Sequence, residues 1–534
     1  MFAESIMKLR YSWTKEDGEL ETWDDIAERV VEEVMKTQPE VRKTDMKTLI
    51  KQRKFIPGGR FLAQAGRPYH QTNNCFLLRA EDTREGWGEL MQKSTVMLMS
   101  GGGIGVDYSA IRPNGAPLKR SGGTSSGPLP LMKTINEIGR GVMSGGKRRS
   151  AIWAGLVWDH PDILDFIKVK NWLPEVIKLK EKDFDFPAPM DMTNISVILD
   201  KRFFDAYDNP DNPQHEHAVK VYNEVVHRMC KTGEPGFSVN YDDPTESLRN
   251  ACTEIVSDKD CDVCCIGSIN LANIEDTNEL MYVTTMGVYF LMCGTDYSDV
   301  PFPKVKEVRE EYRRIGLGIM GIAEWLAVRG YDYAMNSELR EWLGLWRESS
   351  VAAAKFYAKK LGMNVPVKIR AIAPNGTTSI AGGLTTSGIE PIFAVAYKRR
   401  YLSPDGWRMQ YVVDPVAEKL YEMGVDPTNI EDAYALSLNV EKRIKFQADV
   451  QDYVDNSISS TVNLPAYGTP GNDDEIELRN TLYKYLPRLR GITFYPDGGR
   501  GGQPLTPVDF HYARERKGVI YEGNEECVGG VCGI

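Results

Sequence analysis

The sequence has no apolar run approaching about 18 residues, so it offers no candidate for a membrane-spanning helix. Residues 1–20 also lack the apolar core of a signal peptide. We therefore expect a cytoplasmic protein with no function in a membrane. A net charge of −10 argues against nucleic-acid binding as the main task, because contacts to phosphate backbones depend on lysine and arginine.

Cysteine and histidine are too sparse to predict a disulfide scaffold or a metal centre. Nine cysteines among 534 residues are far fewer than small secreted domains use, and the six histidines are scattered. Cys261-x-x-Cys264 has the spacing of zinc ligands, but a structural zinc needs four ligands and no second pair follows. We predict no bound metal. Clustered cysteines in a reducing compartment instead indicate redox chemistry.

Two common nucleotide-binding motifs are missing as well. The run Gly101–Gly105 lacks the GxGxxG spacing, and Lys147 does not belong to a GxxxxGK[ST] loop. The basic turn that Lys147 forms with Arg148 and Arg149 suits either a nucleotide phosphate or a solvated surface. The hydroxyl-rich turn Pro374–Ser379 can open a helix whose free N–H groups bind phosphate, or can simply cap that helix.

Hydrophobic patterns predict an α/β protein. Residues 23–54 have the spacing of two amphipathic helices, and short apolar runs alternate with helices through the middle of the chain. The apolar periodicity over 311–328 predicts one long helix, in which internal glycines allow a close neighbour. The last 35 or so residues are rich in glycine and proline and predict a mobile tail.

The most informative segment is Asn250-Ala251-Cys252-Thr253-Glu254. Taken alone, Cys252 is most simply a buried structural cysteine. Its neighbours favour another interpretation, because Asn250 and Glu254 are both costly to bury without partners. If the three side chains converge, the thiol can exchange a hydrogen atom, the glutamate can take a hydroxyl proton and the amide can orient a sugar.

Further cysteines accompany this segment. Cys75 lies far upstream, Cys264 lies just downstream, and Cys527 and Cys532 frame a Val-Gly-Gly-Val spacer near the end of the sequence. Two thiols that become a disulfide can deliver two electrons to a substrate. A dithiol on a flexible spacer can reach into a site and reduce such a disulfide. The alternative is an untethered tail with incidental cysteines.

Together these motifs resemble the catalytic subunit of ribonucleotide reductase over roughly residues 55 to 534. They occur in the order that the family shows. The matching blocks are NCFLL (74–78), GGGIGVDYSAIRPNG (101–115), GGKRRSA (145–151), HPDILDFI (160–167), NACTE (250–254), CIGSINLA (265–272), RRIGLGIMG (313–321), APNGTTSIAGG (373–383), SGIEP (387–391), DNSISSTVNLP (455–465) and TFYPDG (493–498).

The resemblance implies a role for each reactive residue. Cys252 resembles the cysteine at the tip of a finger loop, which becomes a thiyl radical and abstracts the ribose 3′-hydrogen. Glu254 would take the 3′-hydroxyl proton, which assists loss of the 2′-hydroxyl as water, and Asn250 would hydrogen-bond the ribose. Cys75 and Cys264 would supply the reducing pair; counting back from Gly-Ser-Ile-Asn-Leu favours Cys264 over the adjacent Cys265.

It also implies the surroundings of the reaction. Cys527 and Cys532 resemble the tail dithiol that re-reduces the pair and is itself restored by thioredoxin or glutaredoxin. The remaining expected contacts divide into a substrate set and an effector set. The substrate set is Asn74, Asn375, Gly376, Thr377, Thr378 and Ser379, and the effector set, for a deoxynucleotide or ATP at a homodimer interface, is Asp82, Arg112 and Arg148.

The fold implied by the resemblance is a ten-stranded α/β barrel of two antiparallel five-stranded halves with the finger loop through its centre. We expect a helical N-terminal segment at 1–57, the barrel with its specificity loops at 58–500 and a flexible redox tail at 501–534. The segment before the barrel is too short for the family's ATP-binding cone, so we expect no overall on/off control by ATP and dATP.

The source of the radical is the main departure from oxygen-dependent members. Those members relay the radical from a ferritin-like metal-bearing subunit through two adjacent tyrosines, whereas here Tyr495 is followed by Pro496. This resembles adenosylcobalamin-dependent members, and we favour that cofactor, with Tyr495 kept as a radical-transfer candidate. A compact phage-type member that uses a small separate subunit is the alternative. The tail lacks the motif of the glycyl-radical class.

Two functions of other classes compete with this interpretation. One is a nucleotide-binding barrel that has lost its chemistry, against which all five expected redox cysteines are present. The other is a thioredoxin-type oxidoreductase that uses Cys527 and Cys532 directly. That class opens a helix with CxxC, whereas this tail has four residues between its cysteines.

Overall fold

The computed structural model describes residues 2–119, 121–144, 148–183, 186–383, 385–403, 406–499 and 505–522. Three 3-10 turns, at Leu271–Asn273, Pro427–Asn429 and Leu486–Arg488, accompany the helices. The α-helices are α1 Phe2–Arg10, α2 Trp23–Val34, α3 Glu40–Lys51, α4 Gly59–Gln64, α5 Arg84–Met99, α6 Pro128–Gly141, α7 Ile163–Lys168, α8 Pro174–Lys182, α9 Lys201–Asp208, α10 His215–Thr232, α11 Thr277–Tyr297, α12 Pro303–Tyr312, α13 Ile322–Val328, α14 Ser337–Leu361, α15 Gly376–Ala381, α16 Pro415–Glu422, α17 Ala433–Ser437, α18 Val440–Gln451, α19 Glu475–Tyr485 and α20 Phe510–Glu515.

The strands alternate with these helices along the chain, as the hydrophobic pattern predicted. They are β1 Phe55–Pro57, β2 Cys75–Arg79, β3 Gly103–Asp107, β4 Met143–Ser144, β5 Arg148–Arg149, β6 Ile152–Val157, β7 Thr193–Asp200, β8 Gly236–Asn240, β9 Leu248–Arg249, β10 Val256–Ser257, β11 Asp262–Val263, β12 Cys265–Asn270, β13 Ile315–Met320, β14 Ala396–Ser403, β15 Gly406–Val413, β16 Thr461–Leu464, β17 Gly491–Pro496, β18 Leu505–Pro507 and β19 Ile520–Glu522.

A large, mostly parallel sheet organises the first half of the chain. Its order is β11-β2-β3-β6-β7-β8-β17-β16, and the five strands from β2 to β8 are mutually parallel. The pairs β11–β2 and β17–β8 are antiparallel, whereas β16 and β17 are parallel. The inner strands are buried along nearly their whole length, which is typical of parallel sheets covered on both faces.

A second sheet, β1-β12-β13, continues toward the C-terminal half through two isolated parallel bridges. Leu317 in β13 pairs with Arg370, and Ile372 pairs with Ile458. The α11–α14 pair packs over β12 and β13, and the helices α2 and α3 share that core. A small cluster that includes Leu77, Leu248 and Ala371 joins residues of both sheets to the hairpin β9–β10. None of the helices in the described ranges is long and apolar enough to cross a membrane.

The two helices predicted within 23–54 are confirmed as α2 and α3. Thr22 caps α2 because its side chain accepts a hydrogen bond from the Asp25 backbone N–H, and the Asp25 carboxylate accepts one from the Thr22 backbone N–H, which forms a capping box. Buried Ile26, Val30 and Val31 then face the core. Local periodicity and a local cap sufficed here because both act within a few residues.

The long helix predicted over 311–328 is wrong. The segment instead contains the end of α12, the buried strand β13 and the short helix α13. β13 lies between β12 and the Arg370 segment, and a Cβ at Gly318 would be 2.6 Å from the Ala371 carbonyl oxygen. The glycines therefore allow strands to approach each other, not helices, and pairing between distant segments overrides the helical periodicity.

The predicted mobile tail is too long. Residues 505–522 form β18, α20 and β19, and the two strands flank the β14–β15 hairpin in a four-stranded antiparallel sheet. Phe510 and Ala513 of α20 pack with α16 in a small separate core. These elements were not predicted because each of them is short and because β18 and β19 pair with the β14–β15 hairpin, which lies about 100 residues earlier in the chain.

Replacing Gly318 by alanine should destabilise the protein by about 1–3 kcal/mol, because the new methyl group meets the Ala371 carbonyl oxygen at 2.6 Å. Gly344 in α14 is the matched control, since a Cβ there has no neighbour within 4 Å and alanine favours a helix. Gly344→Ala should leave stability unchanged or raise it by up to about 1 kcal/mol. Urea unfolding measures both, and equal effects of the two substitutions would contradict the strand-packing role.

Candidate active site

The segment 250–255 is the loop of a short hairpin. β9 and β10 pair antiparallel, with Arg249 opposite Val256. Within the loop the Thr253 N–H donates to the Asn250 carbonyl at 3.1 Å, and the Ile255 N–H donates to the Asn250 side-chain oxygen at 3.0 Å. Thr253 has a left-handed backbone with φ +68°, which is uncommon for a residue other than glycine. Asn250 therefore shapes the tip from which Cys252 projects.

This hairpin, which we call the finger hairpin (residues 248–257), lies directly against β3. A Cβ at Gly105 would stand 1.8 Å from the Arg249 carbonyl oxygen, and a Cβ at Gly103 would stand 2.8 Å from the Ala251 Cβ. Both positions therefore require glycine. On the other side the Ser457 N–H donates to the Glu254 carbonyl at 2.8 Å. The glycine-rich run that lacks a dinucleotide fingerprint thus makes room for the finger hairpin.

Three thiols lie close enough to Glu254 for its carboxylate to raise the pKa of each. Burial raises the pKa of the Cys75 thiol to about 12, and the nearby Glu254 carboxylate adds to the rise. Burial also raises the pKa of Cys252 and of Cys264 well above the usual value; Glu254 and then Cys75 contribute at Cys252, and the reverse order holds at Cys264. Cys75 and Cys264 are buried, whereas part of Cys252 is exposed. All three are protonated at neutral pH, as donors of hydrogen atoms must be.

Glu254 is the buried carboxyl group of this cluster. It is 1% exposed, and its burial raises the pKa of the carboxyl group to about 7, against the opposing effect of the Asn250 side chain. Among the described residues, neither its Oε2 atom nor the Asn250 Nδ2 atom has a partner in full hydrogen-bond geometry, although the Asn250 amide lies near enough to lower the pKa of both Glu254 and Cys75. A carboxyl group that titrates near neutrality, beside an amide donor, suits proton transfer to and from a hydroxyl.

The three cysteines at 261–265 point into different parts of the protein. Cys264 belongs to the small cluster with Leu77 that faces the finger hairpin, whereas Cys261 packs in the core of the large sheet. Cys265 packs with the α11 core, and its sulfur accepts a hydrogen bond from the Asn73 side chain at 3.2 Å. Within the described ranges, no group of three His, Cys, Asp or Glu side chains is arranged to hold a metal ion.

The hydroxyl-rich turn does open a helix, α15, which begins at Gly376. The Asn375 N–H donates to the Ser387 hydroxyl at 2.7 Å, and its side-chain amide donates to the Ser268 hydroxyl at 3.1 Å. The Thr378 hydroxyl donates to the Asn375 side-chain oxygen at 3.2 Å. Asn375 therefore shapes the turn, and Ser268 ties it to β12.

Sequence reasoning missed three residues that border this turn. The Tyr11 hydroxyl forms a hydrogen bond with the Thr377 hydroxyl. A Cβ at Gly59 would be 3.7 Å from the Thr378 methyl group, and a Cβ at Gly58 would be 3.1 Å from the Asn74 side-chain oxygen. The adjacent pair Gly58-Gly59 is a signal of close approach that can be seen in the sequence. Tyr11 carried no signal, because it lies 366 residues from its partner.

The expected effector residues lie apart from the thiols. Arg112 donates to the Asp82 carboxylate at 2.7 Å, and both side chains are partly exposed. Asp82 follows the far end of β2 from Cys75, and Arg112 follows β3. The Arg148 backbone belongs to β5, which pairs with β4 in a small hairpin.

The two remaining predictions concern the C-terminal part of the chain. Tyr495 lies in β17 opposite Asn463 of β16, and Pro496 continues the same strand opposite Leu464. Proline thus occupies the position at which a second tyrosine was sought. Cys527 and Cys532 lie outside the described residues.

Comparison with known proteins bears on this site. The family model for the ribonucleotide reductase barrel domain matches residues 73–342 and 353–485. The chain is 28% identical to a vitamin B12-dependent ribonucleoside-diphosphate reductase of Mycobacterium tuberculosis, over 91% of this chain and 74% of the relative. A protein of the same name from Thermoplasma acidophilum is 26% identical over 94% of this chain and 71% of its own. The ribonucleoside-diphosphate reductase subunit alpha of Synechocystis is 27% identical over 55% of this chain and 45% of its own.

Replacing Glu254 by glutamine should change how stability depends on pH. Because the folded protein raises the pKa of this carboxyl group from 4.5 to about 7, it holds a proton that the unfolded chain releases in that interval. Wild-type stability therefore falls as the pH rises through it. From near pH 5 to near pH 8, the Glu254→Gln variant should gain up to about 3 kcal/mol relative to wild type, measured by urea unfolding. If the difference in unfolding free energy between the variant and the wild type does not vary with pH, the raised pKa of Glu254 is contradicted.

Proposed function

The chain belongs to the ribonucleotide reductase family, and we propose that it converts ribonucleoside di- or triphosphates to 2′-deoxyribonucleotides through a thiyl radical on Cys252. The observation that carries the proposal is the position of the buried finger hairpin. It places Ala251 and the Cys75 sulfur side by side against Gly103, and it brings Glu254 close enough to Cys252, Cys75 and Cys264 to raise the pKa of all three thiols. Few reactions need a carboxyl group and three protonated thiols in one interior site.

Each group has a defined task in the proposed reaction. The Cys252 sulfur takes the ribose 3′-hydrogen atom, and Glu254 takes the 3′-hydroxyl proton while the 2′-hydroxyl leaves as water. With a pKa of about 7, the Glu254 carboxyl can accept this proton and return it without a large energetic cost. The Asn250 Nδ2 atom, which has no partner in full hydrogen-bond geometry among the described residues, would hold a ribose hydroxyl. Cys252 finally returns the hydrogen atom to the 3′-carbon.

The two electrons come from the Cys75–Cys264 pair. The two thiols give two electrons and two protons to the sugar intermediate and become a disulfide. Each turnover then requires an external reductant, and we assign the transfer to the dithiol of Cys527 and Cys532, recharged by a thioredoxin-like or glutaredoxin-like protein. The ribonucleotide phosphates would bind at the α15 turn, beside Asn74 and Thr377.

The strand pairings support a closed ten-stranded barrel around this site. One half would be β2, β3, β6, β7 and β8. The other would be β12, β13, the 370–372 segment, β16 and β17, linked by the two isolated bridges. The antiparallel pairs β8–β17 and β2–β11 join the halves at either side. We propose residues 58–500 as this barrel, preceded by the helical segment 1–57.

We infer that adenosylcobalamin generates the radical. The relatives named B12-dependent align over 91% and 94% of this chain, whereas the Synechocystis subunit alpha aligns over 55%. The position after Tyr495 is proline, so two adjacent tyrosines for a radical relay are missing. Cys252 fits such a cofactor, since its thiol is protonated and part of the residue is exposed. Bound adenosylcobalamin supplies an organic radical that accepts a hydrogen atom.

The Asp82–Arg112 pair is our candidate for binding a deoxynucleotide or ATP effector at a homodimer interface. The Arg112 side chain is 40% exposed and the Asp82 side chain is 31% exposed, so a nucleotide can reach the arginine. Arg148, on the hairpin of β4 and β5, would contact the substrate base and so link the bound effector to the choice of substrate.

Purified protein should reduce a ribonucleotide anaerobically with dithiothreitol and a deoxynucleotide effector only when adenosylcobalamin is added. Deoxynucleotide formation is measured by chromatography, with hydroxocobalamin as the matched control because it cannot form the organic radical. Turnover without cobalamin would contradict the cofactor assignment. Turnover that appears only after a metal-bearing subunit is added would favour the alternative radical source.

Serine substitutions distinguish the two adjacent cysteines. Cys264→Ser should lower steady-state turnover by at least about 100-fold, because the reducing pair with Cys75 is lost. Cys265→Ser is the matched control: Cys265 is equally buried but belongs to the α11 core, so turnover should stay within about 3-fold of wild type. The reverse pattern in a deoxynucleotide assay would assign the redox role to Cys265.

A further inference from the structure

Arg249, the residue directly before Asn250, is a fully buried cation. Within the part of the chain that the structure describes, its hydrogen bonds go to neutral oxygens, although the carboxylates of Glu246 and Asp107 lie near enough to raise its pKa. Its terminal nitrogens donate to the carbonyls of Glu246 at 2.6 Å, Leu248 at 3.0 Å, Val239 at 3.1 Å and Arg490 at 3.2 Å, and to the Asn240 side-chain oxygen at 2.5 Å.

These acceptors lie on three separate segments. Val239 and Asn240 end β8, Arg490 immediately precedes β17, and Glu246 and Leu248 lead into the finger hairpin. The Val239 N–H also donates to the Arg490 carbonyl at 3.0 Å, so the guanidinium adds to an existing antiparallel junction. Arg249 thereby fastens the entry strand of the finger hairpin to the place where β8 and β17 meet.

Burying this charge is costly. Burial lowers the pKa of the Arg249 guanidinium to about 9, and the charge of Arg490 lowers it further. A neutral apolar residue would avoid that cost, and a lysine has a single nitrogen. Only the planar guanidinium offers several donors in a fixed fork that can reach oxygens on three segments at once.

The opposite side of the same residue has no free space. The Arg249 carbonyl oxygen is the atom that a Cβ at Gly105 would meet at 1.8 Å, so the hairpin cannot move toward β3. The neighbouring Ser247 hydroxyl donates to Asp107 of β3 at 2.6 Å, and Glu246 pairs with Lys368 and Arg490 at 2.6 and 2.7 Å. Arg249 is thus pressed against β3 by its backbone and held to β8 and β17 by its side chain.

We propose that Arg249 is a positioning residue that fixes how deeply the finger hairpin lies, and so where Cys252 and Glu254 stand relative to the substrate. This inference rests on the proposed reductase function. Its physical basis is that a displacement of about 1 Å in a reacting group can cost about 100-fold in rate, whereas substrate binding through the separate α15 turn is little affected.

The first test compares Arg249→Lys with Arg370→Lys in the full-length enzyme with adenosylcobalamin. Arg370 is the control for a buried arginine. It is 5% exposed, donates to the Tyr453 carbonyl and the Ser350 hydroxyl, both at 2.8 Å, and pairs with Asp455 at 3.4 Å, so these side-chain partners lie outside residues 248–257. In Arg249→Lys we expect kcat to fall about 100-fold and KM for the ribonucleotide to stay within about 3-fold. In Arg370→Lys we expect a lower melting temperature with kcat within about 3-fold of wild type. If kcat falls equally in both variants, Arg249 stabilises the fold like other buried arginines and does not specifically position the finger hairpin.

The second readout needs no turnover. Iodoacetamide labelling followed by peptide mass spectrometry gives the ratio of Cys252 to Cys75 modification in folded protein. Arg249→Lys should change this ratio at least about 10-fold, and Arg370→Lys should not. An inactive wild type would count against the reductase proposal while the ratio still tested the positioning role. An unchanged ratio in folded Arg249→Lys overturns the inference; Arg249→Gln, which removes the buried charge, takes its place if the lysine variant does not fold.

Discussion

The contact between the Arg249 carbonyl and Gly105 is the constraint on which the rest of the site depends. The Arg249 carbonyl oxygen occupies the space that a side chain at position 105 of β3 would fill. The finger hairpin can therefore pack against β3 only if residue 105 is glycine. Gly103 repeats the condition two residues earlier, beneath Ala251 and beside the Cys75 sulfur. Because residues two apart on a strand face the same side, this pair of glycines clears one continuous path. Cys252 reaches Cys75 only because that path exists.

The same burial prepares the chemistry. An interior loop takes its side chains out of water, which favours the neutral form of every acid on it. Here the effect keeps three thiols protonated and raises the pKa of the Glu254 carboxyl to about 7, so hydrogen-atom donors and a proton acceptor coexist at neutral pH. An exposed loop with the same five residues would hold an ordinary carboxylate. The fold therefore contributes the acid–base properties as well as the geometry.

The errors in sequence interpretation share a cause. Residues 311–328 and 505–522 were assigned from their own composition, but β13, β18 and β19 are completed by partners far away in the sequence. The glycines of β13 were interpreted as positions at which a helix meets a close neighbour. Only the Ala371 backbone shows what they accommodate. Helices α2 and α3 raised no such difficulty, since their caps and apolar faces are local.

By itself the sequence determined the α/β class, the resemblance to a reductase family and the group of candidate residues around Cys252, because these are carried by residue types at short spacings. It did not show in which directions the adjacent side chains of Cys264 and Cys265 point. Tertiary structure showed this, because successive side chains on an extended segment face opposite sides, and only Cys264 packs in the cluster that includes residues of the finger hairpin. It also brought Tyr11 to Thr377 and Arg249 to the β8–β17 junction, contacts between segments whose separation along the chain leaves no local trace.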